Sequence, residues 1–143
     1  MESIRTPELG RPATGAFAPR PRVLIADDES RIRLVLRACL EAEGYRVEEA
    51  ADGLEALEAV RRDAPDLVIL DLSMPRMMGI AVLKELSGQS TSKVIVLTAY
   101  GCEQTAIAAR ELGAAAFLEK PLLPDMLRQT VRDVLAQRSA MHA

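Results

Sequence analysis

Aromatic residues make up only 3% of the 143-residue chain, with no tryptophan, two tyrosines and two phenylalanines. So few rings cannot build the stacking platforms that hold single-stranded nucleic acids. Positive charge is not in excess either. Eighteen lysines and arginines face 21 aspartates and glutamates, a formal net charge of −3, so the basic footprint of a duplex binder is missing. Two cysteines, Cys39 and Cys102, are too few for a disulfide framework and have no CxxC spacing. No apolar run approaches the roughly 20 residues that span a bilayer, and the N-terminus lacks the apolar stretch of a secretory signal. The single histidine, His142, is the penultimate residue, and no GxSxG is present, which argues against a Ser-His-Asp triad. GxGxxG and GxxxxGK[ST] are also absent, so no glycine loop cradles phosphate. These absences leave one acidic domain, expected to be cytoplasmic and without a membrane or direct nucleic-acid role.

What is present divides into two blocks. Residues 1–21 carry Pro7, Pro12, Pro19 and Pro21 with Gly10 and Gly15 and no sustained periodicity. This block reads as a disordered extension, too poor in apolar residues to offset its ordering entropy. From residue 22 onward the pattern is that of a folded domain over 22–143. Val23-Leu24-Ile25-Ala26, Leu67-Val68-Ile69-Leu70 and Val94-Ile95-Val96-Leu97 are short continuous apolar runs, as expected of strands covered on both faces. Arg46-Val47-Glu48-Glu49-Ala50 reads as a charged edge strand, and Ala115-Ala116-Phe117-Leu118 as the last strand. Amphipathic stretches lie between them, with stripes at Ile32, Val35, Leu36, Cys39 and Leu40, at Leu54, Leu57 and Val60, and at Met126, Leu127, Thr130, Val131, Val134 and Leu135. Ile80 to Leu86 and Glu103 to Leu112 are shorter helical candidates. Ser30 is a candidate cap for the first helix. Five β-α units of this kind predict a doubly wound five-stranded parallel sheet with helices on both sides.

In such sheets the functional crevice lies beyond the carboxyl ends of the strands. The first strand runs into Asp27-Asp28-Glu29, the third into Asp71, the fourth into Thr98 and the fifth into Lys120. Carboxylates crowded together repel one another unless a cation holds them ionised. A hard divalent ion such as Mg²⁺, which takes one or two carboxylates and keeps water or phosphate oxygens, is the natural partner. Lys120 adds a point positive charge suited to a carboxylate or an incoming phosphoryl group.

The segments VLIADDE, PDLVILDLSMPRMMG, VIVLTAYG and GAAAFLEKP, in this order and each following an expected strand, resemble the receiver domain of two-component response regulators. The resemblance covers about Arg22 to Arg138 and implies a flavodoxin-like (βα)5 three-layer sandwich. It implies that Asp71 is the phosphoacceptor, taking a phosphoryl group from a sensor histidine kinase or a histidine phosphotransfer protein. Asp27, Asp28, Asp71 and the backbone carbonyl of Ser73 would hold Mg²⁺, and Lys120 would pair with Asp71 and then with the phosphoryl group. Thr98 and Phe117 match the family's switch pair, acting on the face built from the fourth helix, last strand and last helix. Ser73 and Tyr100 occupy positions that tune dephosphorylation, Tyr100 by screening the acyl phosphate from water. Lys120-Pro121 matches a bond that is usually cis in the family. Met78 departs from the pattern, standing before Gly79 where aspartate is frequent.

Two other readings compete. An adapter with this fold would bind partners without phosphorylation, but has no need for the acids, Thr98 and Lys120. An aspartate-nucleophile phosphatase would want a second acid two residues after Asp71, where Ser73 stands, so the chain is not expected to be an enzyme beyond its own phosphorylation and dephosphorylation. Nothing after Arg138 is long enough for a helix-turn-helix. Output is therefore expected through a protein target or a domain outside this chain.

Overall fold

The computed structural model describes residues 20–74, 78–87, 90–99 and 103–142, with side chains described to residue 137. The proposed disordered extension lies almost wholly outside the described residues, as do Tyr100 and Cys102. Five strands and five helices alternate: β1 (Arg22–Ala26), α1 (Ser30–Ala42), β2 (Arg46–Ala50), α2 (Gly53–Asp63), β3 (Leu67–Asp71), α3 (Gly79–Leu86), β4 (Lys93–Thr98), α4 (Glu103–Glu111), β5 (Ala116–Glu119) and α5 (Pro124–His142). All pairings are parallel, in the order β2-β1-β3-β4-β5. The doubly wound flavodoxin-like fold follows from this order. The charged strand β2 sits at an edge, where Arg46, Glu48 and Glu49 keep access to water.

The continuous apolar strands fill two cores, one on each side of the sheet. Leu24, Val68, Leu70, Val94 and Val96 point toward α2, α3 and α4, packing with Ala56, Val60, Val82, Leu83 and Ala109. Ile25, Ile69, Ile95 and Leu97 point the other way, against Leu36 and Leu40 of α1 and Leu127, Val131 and Val134 of α5. Alternation along a strand sends neighbours to opposite faces, and here both faces are covered. Each fully buried aliphatic side chain contributes roughly 1.5–3 kcal/mol relative to exposure, so the central strands form a rigid floor beneath the strand ends.

The helical stripes are narrower than expected. Val35 is 57% exposed, Leu54 40% and Met126 54%, each at the margin of a stripe whose centre is buried. Ser30 is the first helical residue rather than the cap. Glu29 holds the cap position of α1 and makes no capping bond with its side chain. By contrast α2 is capped at both levels: Asp52 accepts the Glu55 N–H at 2.9 Å, and Glu55 accepts the Ala51 N–H at 3.1 Å. Among the described residues no helix is long and apolar enough to cross a membrane.

Candidate functional site: a lysine-bridged carboxylate cluster

The strand order 2-1-3-4-5 places its reversal between β1 and β3, where the crevice of an open α/β sheet forms. Asp27 and Asp28 leave the end of β1 and Asp71 closes β3, so the acids stand on both sides of that crevice. One carboxylate oxygen from each of Asp27, Asp28 and Asp71 lies within 4.8 Å of the others. Asp27 and Asp71 are buried, whereas Asp28 faces solvent.

Lys120, directly after β5, reaches across this cluster with a largely buried side chain. Its Nζ lies 2.8 Å from Asp27 Oδ2, 3.3 Å from Asp71 Oδ2 and 3.6 Å from Glu29 Oε1. The Lys120 N–H donates to the Thr98 carbonyl at 2.8 Å, fixing the chain where it turns off the sheet, and the Lys120–Pro121 peptide is cis. Two backbone donors hold the acids in place: the Glu29 N–H bonds Asp27 Oδ1 at 2.9 Å and the Ser73 N–H bonds Asp71 Oδ1 at 3.2 Å. Lys120 Nζ at 2.8 Å is thus the cation that faces Asp27 Oδ2. Asp27 Oδ2 is fully buried and is held by this ion pair. Three clustered carboxylates share this single ammonium, and an oxygen-seeking divalent cation would balance the remaining negative charge. The hard, all-oxygen donor set of Asp27, Asp28 and Asp71 therefore fits Mg²⁺.

The electrostatics carry the strain of this arrangement. Burial pushes the Asp71 carboxyl above its ordinary value and the charge of Asp27 adds to the shift, while the Ser73 N–H and Lys120 oppose it. Burial alone would lower the Lys120 ammonium, but the carboxylates of Asp27 and Asp71 more than offset this and raise it. A raised carboxyl means that the folded state is destabilised by ionised Asp71 at neutral pH and recovers as pH falls through the raised value toward 3.8. Asp71→Asn is thus expected to stabilise the domain by about 1 kcal/mol at pH 7 in a chelator, as relief of active-site conflict commonly does. The gain should shrink as wild type protonates in mild acid. Urea titrations at pH 7 and near pH 4.5 check this, and a gain independent of pH would contradict it.

The remaining expected residues fall around the cluster. Thr98 is the buried last residue of β4. Phe117 lies opposite Val96 in the sheet register and packs, half-buried, on the α2-α3-α4 core; Thr98 lies opposite Glu119, so by alternation Thr98 and Phe117 share that face. Ser73 is exposed, and Pro121 is exposed beside Lys120. Three contributors had no role in the sequence reading. Glu29 adds the third carboxylate near Lys120, foreshadowed by the acidic run. Arg33 donates to the backbone carbonyl of Asp27 at 2.6 Å, and no spacing signals that. Gly79, noted in the sequence only as the residue after Met78, packs close on the backbone of Asp71 and Leu72.

Fold and crevice together define a doubly wound α/β domain whose acidic site is bridged by a single lysine. A family model for the response regulator receiver domain matches residues 23–132, and the chain belongs to that family. It is similar to sporulation initiation phosphotransferase F of Bacillus subtilis, 39% identical over 119 residues covering 82% of this chain and 96% of the relative. It is also similar to the transcriptional regulatory protein PdtaR of Mycobacterium tuberculosis, 46% identical over 112 residues covering 77% of this chain but 55% of that protein. The chain spans about half the length of several other curated relatives it matches. A solved CheY-like response regulator receiver domain protein from Methanospirillum hungatei superposes with a TM-score of 0.82 at 28% identity, covering 86% of this chain and 99% of the other.

Proposed function

We propose that this chain is a phosphorylation-dependent signalling receiver in which Asp71 takes a phosphoryl group from a sensor histidine kinase or a histidine phosphotransfer protein. The observation that carries the reading is the buried cluster in which one ammonium, Lys120, spans the buried carboxylates of Asp27 and Asp71. In the transfer, an Asp71 carboxylate oxygen forms a bond to phosphorus as the phosphorus–nitrogen bond of the donor's phosphohistidine breaks. The imidazole leaves with that electron pair. Such transfer asks mainly for positioning and charge neutralisation. Asp27 and Asp28, with Asp71 and the Ser73 carbonyl, would hold Mg²⁺, which would supply positive charge to the phosphoryl oxygens. Lys120, already between the two buried acids, is placed to follow the new charge.

The donor's approach is favoured by an apolar groove of about 490 Å³ that opens beside Lys120, lined by Ile32, Val35, Leu36, Pro121 and Leu122. We assign its occupant as the phosphodonor protein, because the groove is continuous with the crevice. The acyl phosphate adds roughly −1.5 to −2 charges, enough to draw in the Thr98 hydroxyl and let Phe117 follow, altering the α4-β5-α5 face for a downstream protein or output domain. Ser73 and Tyr100 would tune the lifetime of the phosphoryl group. The name of the Bacillus relative supports a phosphotransfer role; transcriptional regulation belongs to the longer Mycobacterium protein. A phosphorylation-independent adapter finds no support in two buried carboxylates that share a single ammonium.

Incubation with Mg²⁺ and a small phosphodonor, followed by intact mass, tests the reading. One phosphoryl adduct is expected on the wild type and none on Asp71→Asn. No adduct on the wild type, or an undiminished adduct on the variant, overturns it.

A further inference from the structure

Asp27 is held by hydrogen bonds at its N–H, its carbonyl and Oδ1, leaving Oδ2 to the ion pair with Lys120. Its N–H donates to the Ala50 carbonyl at the end of β2 at 3.1 Å. Its Oδ1 takes the Glu29 N–H at 2.9 Å, and its backbone carbonyl takes Arg33 Nη1 at 2.6 Å. The last of these partners stands alone in being a side chain, and Arg33 is itself braced. Its Nε donates to Glu49 Oε1 at 2.9 Å, while the other oxygen of Glu49 takes Arg37 Nε at 2.6 Å. Only 16% of the Arg33 side chain is exposed. A planar guanidinium can serve two acceptors along fixed directions, which a lysine ammonium does not reproduce. Glu49 adjoins Ala50, so one end of β2 fixes Asp27 twice, directly through Ala50 and indirectly through Glu49 and Arg33.

We infer that Arg33 is a positioning residue for the cation site: it locks the Asp27 backbone so that Oδ2 stays aimed at the cluster, and Glu49 holds Arg33 in that task. The inference rests on the functional reading above, which makes Asp27 a ligand of Mg²⁺. The alternative role, plain charge, has the opposite sign. Removing a cation from the neighbourhood of a divalent ion should tighten Mg²⁺, whereas loosening a ligand should weaken it. Loss of a group that orients a metal ligand typically lowers affinity 10- to 100-fold.

Calorimetric titration of the full chain with Mg²⁺ at fixed ionic strength separates these outcomes. Arg33→Met is expected to raise the Kd about tenfold despite losing a positive charge. Arg33→Lys, which keeps the charge, should weaken binding in the same direction. Arg37→Met breaks the companion ion pair to Glu49 without touching Asp27, and should lower the melting temperature slightly while leaving the Kd unchanged. An unchanged or lowered Kd in both Arg33 variants overturns the inference while leaving the functional reading intact. Equal weakening by Arg37→Met also overturns it, since the effect would then be general loosening of α1. If Arg33→Met fails to fold, Arg33→Lys carries the comparison. A wild type without saturable Mg²⁺ binding overturns the functional reading itself.

Discussion

Gly79→Ala is expected to lower the unfolding free energy by about 3 kcal/mol, the upper end of the usual overpacking cost, and to abolish phosphoryl uptake with it. A Cβ at this position would sit 2.2 Å from the backbone oxygen of Asp71 and 2.6 Å from the Cα of Leu72. Neither neighbour is a flexible side chain that can rotate away. Both belong to the end of β3, which is held on its other side by the Leu72 N–H bonding the Leu97 carbonyl at 3.0 Å. The Gly79 N–H returns to the Leu72 carbonyl at 3.0 Å, closing the loop onto the strand. The methyl group therefore displaces either α3 or Asp71, and the second choice moves the Asp71 carboxylate relative to Lys120. Gly44 provides the control. Its φ of +95° favours glycine, but a Cβ there meets nothing within 4 Å, so Gly44→Ala should cost about 1 kcal/mol from backbone strain alone and leave phosphoryl uptake intact. Urea denaturation followed by circular dichroism measures both. A Gly79→Ala midpoint no lower than that of Gly44→Ala would show that the loop yields easily.

These two glycines mark where sequence reading stops. Both lie near helix ends, and nothing in the one-dimensional pattern distinguishes a glycine chosen for its backbone from one chosen for its missing Cβ. Strand positions were legible because burial on both faces demands unbroken apolar runs, as in β1, β3 and β4, and because an edge strand tolerates charge, as in β2. The acids and Lys120 were legible because they break off those runs at the same end. Val35, Leu54 and Met126 were misjudged for a complementary reason. Helical periodicity gives the direction of a buried stripe but not its width, which is set by how closely the sheet and neighbouring helices approach. Arg33 was opaque because its partners, Asp27 just after β1 and Glu49 in β2, lie 6 and 16 residues away along the chain, and only the fold brings them to one guanidinium.

Lys120→Met should destabilise the domain by about 3 kcal/mol in a chelator, the lower end of the cost of removing one partner from a buried ionic cluster. The methionine fills similar space but leaves the buried carboxylates of Asp27 and Asp71 facing each other without a cation between them. Proton uptake by one of the two limits the loss, because a buried carboxyl neutralises rather than remaining an isolated charge. Mg²⁺ should then distinguish a structural lysine from one that shares its place with a metal. In the wild type a cation binding at Asp27 Oδ2 has to displace or accommodate Nζ at 2.8 Å; in the variant that oxygen is open. Binding that favours the folded state adds RT ln(1 + [L]/Kd), about 2.7 kcal/mol at a hundredfold excess over Kd. Millimolar Mg²⁺ is accordingly expected to restore much of the loss in Lys120→Met while stabilising the wild type less. Paired urea titrations with and without Mg²⁺ give the comparison directly. Equal stabilisation of both proteins would mean that ammonium and metal do not compete for the same oxygen. A variant as stable as wild type in chelator would mean that the two acids need no cation, and the cluster's charge would have to be balanced by proton uptake alone.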